Sequence, residues 1–182
     1  VQINIANLAA VPSVVYGLLG LAVFANLFGL GLGTVITASL TLSLLILPIT
    51  IISAQEAIRS VPDDLRRGSD AMGATRWQTT KNLVIPEAIP GILTGTILAL
   101  GRAIGETAPL LLIGAASSRT AANTGIFQRV IAMPTQLFAW YNAPNDFQTG
   151  VVPAGVVTLL AILLIMNGTA IVMRNKYERS DG

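Results

Sequence analysis

Cysteine and histidine are absent from this chain. Their absence excludes disulfides, thiol nucleophiles, serine–histidine catalysis and zinc sites built on those ligands; it leaves the compartment open. Charge is scarce as well: of 182 residues, 11% are charged and 53% hydrophobic, with a net charge of +2. A soluble domain of ordinary composition carries about 25% charged residues. The deficit excludes an ordinary water-facing surface and places the chain in the membrane class, as does its mean hydropathy of +0.70. No G-x-x-x-x-G-K-[ST] loop occurs, so any use of ATP requires a partner that binds it. There is no initiator methionine and no signal-peptide pattern, and the opening VQINIANLAAVPS reads as the interior of a longer protein.

What the chain does have is long apolar runs. A bilayer-spanning helix needs about 20 mostly apolar residues. Four windows satisfy this, at 8–30, 34–54, 91–113 and 151–173, and only the third contains charges. The expected fold is therefore all-α and polytopic, with four spans. Arg59, Arg66, Arg67, Arg76 and Lys81 fall between the second and third windows, and Arg174, Lys176 and Arg179 follow the fourth. Two spans separate these basic segments, so they share a side, and the positive-inside rule makes that side, with the C-terminus, cytoplasmic. The turn at 28–34 and the segment 115–150 then face outward. The outer segment holds Arg119 and Arg129, with Trp140 and Tyr141 placed as interfacial anchors; it is read either as an ordered loop or as a piece lying on the membrane surface. Glycines 29, 31 and 33 lack the G-x-G-x-x-G spacing and a preceding strand, so they predict a tight turn.

The polar segment 55–90 carries the clearest local signals. Ser60, Pro62, Asp63 and Asp64 read as a helix start, with a cap, an early proline and acids at the positive helix end. That helix runs to Met72 and stops at Gly73, which accepts the left-handed cap conformation. Thr75 and Gln78 form a capping box for a second short helix ending before Pro86. The result is helix, glycine elbow, helix. Gly68, Ala71, Gly73 and Ala74 would allow a partner's backbone to approach closely. A solvated connector on the lipid headgroups is the plainer reading. Nucleic-acid binding fits poorly, because Asp63, Asp64 and Asp70 nearly offset the basic residues.

The stretch GSDAMGATRWQTTKNLVIPEAIPGI resembles the "EAA loop" of ABC-importer permeases, a pattern of E-A-A, three residues, Gly, nine residues and I-x-L-P. Gly73 matches the glycine, nine residues follow, and Leu83-Val84-Ile85-Pro86 fills the last box, whereas Arg67-Gly68-Ser69 replaces E-A-A. Together with VPSVVYGLLGL (11–21), ILALGRAIGETAPLL (97–111) and MNGTAIVMRNKYERS (166–180), the chain resembles the PstA-type permeases of phosphate ABC importers over essentially its whole length. The resemblance implies a type I (MetI-like) transmembrane domain in the bacterial inner membrane, with the N-terminal spans of the family outside this chain. It implies no catalysis and no cofactor in this chain, ATP being bound by partner subunits that dock at the 60–86 loop. Gly68, Asp70, Ala71, Gly73, Ala74, Thr75 and Pro86 are the coupling candidates. It further implies a second homologous permease and an external phosphate-binding protein.

On a helical wheel of the third window, Gly91, Gly95, Leu98, Arg102 and Glu106 form one stripe, and Leu93, Ile97, Leu100 and Ile104 form another roughly opposite. The bulky stripe suits lipid. The small and charged stripe suits a neighbouring helix or a cavity, and the glycine pairs 91/95 and 101/105 permit close packing. A mid-bilayer arginine costs about 2.5–3.5 kcal/mol. A glutamate one turn later, in the less favourable Arg-before-Glu order, returns at most about 0.2–0.5 kcal/mol. A purely structural ion pair therefore explains the two charges poorly. Pro109 removes the helical partner of the Gly105 carbonyl, and such breaks require protein or a water-filled cavity beside them. Arg102, Gly105, Glu106 and Thr107 are the pathway candidates. Arg102 is suited to an anion such as phosphate, which carries about −1.5 to −2 charges on esters near neutral pH. Another oxyanion (sulfate or molybdate), an ion-driven carrier with Glu106 as its ion site, and a non-transporting scaffold subunit remain open on the residues alone.

Overall fold

In a computed structural model of the chain, residues 2–115, 125–143 and 149–178 are described. The regular elements among them are helices, apart from one isolated antiparallel bridge between Thr34 and Arg129. We label them α1 (Gln2–Ala9), α2 (Ser13–Leu27), α3 (Val35–Ser60), α4 (Asp63–Ala71), α5 (Arg76–Gly105), α6 (Ala108–Leu112), α7 (Met133–Tyr141) and α8 (Val151–Glu178).

Three of these, α3, α5 and residues 151–172 of α8, are long and apolar enough to cross a membrane. The first expected window differs. Pro12 cannot donate a backbone hydrogen bond and stands at the N-cap of α2, so the apolar run is divided into α1 and α2. With about 1.5 Å per residue, α2 is about 22 Å long, short of the roughly 30 Å hydrocarbon core. Its second half, Gly20–Leu27, is a π-helix.

The long helices pack through small residues, as expected where lipid is as apolar as leucine and close contact is what holds helices together. A Cβ at Gly91 would lie 2.8 Å from Ala57 Cβ, and Gly95 lies directly against Ser53, so α5 runs antiparallel to α3. At its other end, a Cβ on Gly101 would meet Asn167 and Met166 of α8 at 2.8 and 2.9 Å. Gly155 of α8 is in turn filled by Leu137 of α7. The core consists of two clusters: Ala38, Leu110, Ile113 and Ala115 on one side, and Ala57, Val61, Val84 and Ala88 beside the polar loop. Leu93, Leu100 and Ile104 are exposed, together with Val157, Leu164 and Ile165 of α8, as a lipid-facing surface requires.

Glycines 29, 31 and 33 all have positive φ (65°, 86° and 65°), which makes the turn before α3. The start of α3 is then sealed. Thr34 Oγ1 accepts from Thr37 N at 3.3 Å, Val35 N donates to Gln128 O at 2.7 Å, and Ile36 N donates to Ile126 O at 2.9 Å. Residues 126 and 128 thus satisfy helix-start donors that apolar surroundings would leave orphaned. Arg119 and residues 144–148 lie outside the described residues, while Arg129 belongs to this cap. Thr34→Val removes the side-chain acceptor and should cost about 0.5–2 kcal/mol, read as a lower melting temperature in detergent that Thr34→Ser largely restores.

Candidate functional site

Two sets of candidate residues sit at opposite ends of α5. At its beginning is the elbow. α4 ends at Ala71 with Met72 as its C-cap, and Gly73 follows at φ 83° with open space where a side chain would be. Thr75 Oγ1 accepts from Gln78 N at 3.3 Å, and Gln78 Oε1 accepts from Thr75 N at 2.8 Å, completing the expected capping box. Ser69 Oγ lies 2.9 Å from Thr79 Oγ1, which ties α4 to α5 across the turn. Gly68, Asp70, Ala71, Gly73, Thr75 and Pro86 are exposed, and Ala74 is half-buried.

Two local expectations are corrected here. Ser60 does not start α4: it is the last residue of α3, its hydroxyl donates to Ala57 O at 2.8 Å, and Pro62 occupies the N-cap. The second helix does not end before Pro86. It widens into a π-turn over Thr80–Val84, where Ile85 N donates to Thr80 O, and continues unbroken through Pro86 to Gly105. The widened turn accommodates a residue that has no N–H and whose ring would otherwise strike the carbonyl four residues back. Met72 and Trp77, at 89% and 70% exposure, are the large apolar side chains that the elbow presents. Neither is among the coupling candidates read from the sequence, where Met72 served only to end the first helix; a tryptophan inside a polar, glycine-turned segment was the available signal.

At the other end of α5, Arg102 Nε lies 3.3 Å from Glu106 Oε1. The arginine side chain is 56% exposed and the glutamate 15%. The helix stops at Gly105: Glu106 is extended (φ −72°, ψ 122°), and its N–H reaches Ala103 O at 3.2 Å. The break therefore precedes Pro109, which does not kink a continuing helix but lies in the first turn of α6. A Cβ on Gly17 of α2 would come 2.7 Å from Pro109 Cα, so α2 supports the broken segment. Thr107 Oγ1 faces the Gly105 carbonyl at 3.5 Å, a long contact.

This moves Arg102 from the middle of a span to the last turn of a helix, where the negative end of the helix dipole favours a cation. The expected single stripe also divides. Gly91 and Gly95 are consumed in packing on α3, whereas Leu98 and Arg102, further along that face, are exposed. The open half of the stripe leaves a guanidinium, a carboxylate and a hydroxyl side by side at the end of the helix. That arrangement can contact a small anion while holding the arginine when no anion is present.

The described residues thus form a helical bundle with three helices long and apolar enough to cross a membrane, a glycine elbow and a charged helix break. Over residues 4–176 the chain matches the family of binding-protein-dependent transport system inner membrane components, and it belongs to that family. It is thus a multi-pass inner-membrane protein. It is 49% identical over 104 residues to the probable ABC transporter permease protein YqgI of Bacillus subtilis, covering 57% of this chain and 35% of that protein. It is 32% identical over 169 residues to the phosphate transport system permease protein PstA 1 of Mycobacterium tuberculosis, covering 92% of this chain and 54% of that one. For the phosphate transport system permease protein PstA of Xylella fastidiosa the identity is 30% over 171 residues, covering 93% and 58%. The chain thus spans between about a third and three fifths of these relatives.

Proposed function

We propose that this chain is part of the transmembrane permease of an ATP-driven importer that moves inorganic phosphate across the bacterial inner membrane by alternating access. The observation that carries this reading is the continuity of α5. One helix of 30 residues, about 45 Å long, joins the elbow at one end to the Arg102–Glu106 break at the other. A push on the elbow is delivered as displacement of the charged break, because the helix stays continuous from Arg76 to Gly105 through the π-turn at Thr80–Val84 and past Pro86 and Pro90, which donate no backbone hydrogen bond.

In this reading two ATP-binding subunits seat the 60–86 loop, and ATP hydrolysis takes place on them. A second homologous permease covers the open face of Arg102, and an external phosphate-binding protein delivers the ion. α2 contributes a fourth, shorter crossing, and the C-terminus is cytoplasmic. Arg102 holds the anion. Glu106 competes for the guanidinium and keeps binding shallow enough for release. The phosphate-named relatives favour phosphate over sulfate or molybdate, and the elbow favours an ATP-driven device over an ion-driven carrier, which needs no such dock.

The chain has no native cysteine, so Ala71→Cys and Ala74→Cys each introduce a unique thiol. Ala71→Cys, at an exposed position, should cross-link efficiently to a co-expressed ATP-binding subunit, with an efficiency that changes on nucleotide addition. No cross-link from either position would sink the docking role of the elbow.

A further inference from the structure

A second cationic site lies at the elbow and is separate from Arg102. Between α4 and the first turns of α5 there is a cavity of about 300 Å³, lined by Arg66, Asp70, Arg76, Thr79, Thr80 and Val84. That is the lower end of the range for small-ligand sites, about 300–1,000 Å³. Arg66 is anchored from behind, its Nη2 donating to Ile58 O at 2.6 Å. Its Nε makes no hydrogen bond but stands at ion-pair distance, 3.8 Å, from Asp63 Oδ1, and the side chain is 34% exposed. A guanidinium carries five N–H donors, and Arg66 spends one of them on Ile58 O, which leaves donors on its exposed part for an acceptor in the cavity. Arg76 brings a second guanidinium to the same cavity and makes no ion pair among the described residues. Two planar guanidinium groups suit a tetrahedral oxyanion, whose oxygens can take paired N–H donors.

Asp70 places a carboxylate acceptor in the wall of the cavity. Its Oδ1 is engaged by Thr79 Oγ1 at 3.5 Å, and that hydroxyl also meets Ser69. A carboxylate in the wall repels a fully ionised anion but accepts a hydrogen bond from one that still carries a proton. Sulfate and phosphodiester lipids carry none near neutral pH; inorganic phosphate and phosphomonoesters do. We infer that this cavity binds a protonated phosphoryl group, supplied either as free phosphate or as the monoester headgroup of phosphatidic acid. A ligand there joins Arg66 on α4 to Arg76 on α5 across the Gly73 turn, and so stiffens the elbow. This goes beyond the importing role proposed above. Only the assignment of the site to the cytoplasmic side rests on that reading.

The test is calorimetric titration of inorganic phosphate into the full-length permease in phosphatidylcholine nanodiscs, in the wild type and with Arg102→Ala. Binding that survives Arg102→Ala, weakens at least about tenfold in the Arg66→Gln/Arg76→Gln variant, and exceeds sulfate binding by a margin that Asp70→Asn abolishes is the expected result. Adding phosphatidic acid to the discs separates the sources: phosphate affinity unchanged by the lipid assigns free phosphate, and displacement assigns the headgroup. Absence of phosphate binding in the wild type, or equal binding in the double-glutamine variant, overturns the proposal. Because binding is read without transport, a failed import assay leaves this result standing.

Discussion

Arg102→Ala is expected to reduce phosphate uptake by the assembled transporter to background, with assembly and ATP hydrolysis retained. The guanidinium is the cation on the open half of the α5 stripe, 3.3 Å from its Glu106 partner and 56% exposed. Charge-assisted hydrogen bonds to an anion are worth about 1.5–3 kcal/mol each, so loss of a bidentate contact weakens the anion by roughly a hundredfold or more. Arg102→Lys keeps the charge but not the fork, and should retain a small fraction of uptake. Glu106→Gln acts in the opposite sense on binding: the arginine loses its competitor, so the apparent KM falls while the maximal rate also falls, because release is slowed. Uptake measured with a radiolabelled ion gives both parameters. Wild-type uptake in Arg102→Ala would exclude the anion-contact role.

The second large effect is on stability. Gly33 and Gly29 share the same φ of 65°, which non-glycine residues adopt at a cost of about 1–2 kcal/mol. Their surroundings differ. A Cβ at Gly29 would meet nothing within 4 Å, whereas one at Gly33 would lie 2.5 Å from the Gly114 carbonyl oxygen. Gly114 is itself at φ 85°, and Gly33 O accepts from Val130 N at 2.8 Å, so neither backbone can retreat without breaking the cap on α3. Overpacking adds about 1–3 kcal/mol. Gly29→Ala should therefore lower stability by about 1–2 kcal/mol and Gly33→Ala by about 2–5 kcal/mol. Thermal unfolding of the two variants in the same detergent measures the difference. Equal melting temperatures would show that the Gly33–Gly114 approach does not constrain the fold.

Much of this architecture was legible in residue order because its causes are local. The apolar windows at 34–54, 91–113 and 151–173 locate α3, α5 and α8, since burial in lipid depends on composition over about 20 residues. The elbow was equally readable: Gly73 and the Thr75–Gln78 box act within a few residues of themselves. Local signals failed where two of them competed. Apolarity joined 8–30 into one span, but Pro12 divides it. Pro86 and Pro109 both looked like helix breakers. A π-turn absorbs the first, and the chain has already left the helix at Glu106 before the second.

By itself the sequence determined the solvent of this protein, its three long helices, the glycine elbow, and the pairing of Arg102 with Glu106 at a spacing of one turn. These follow from composition and from contacts between near neighbours. Only the tertiary structure decided which half of the α5 stripe is used for packing and which is open, because that depends on which of its residues meet Ala57 and Ser53 of α3. It alone sealed the start of α3 with residues 126 and 128, and it brought Arg66 and Arg76 to one cavity across the turn. Those juxtapositions join residues far apart in the chain or on different helices, and the periodicity of a single helix does not contain them.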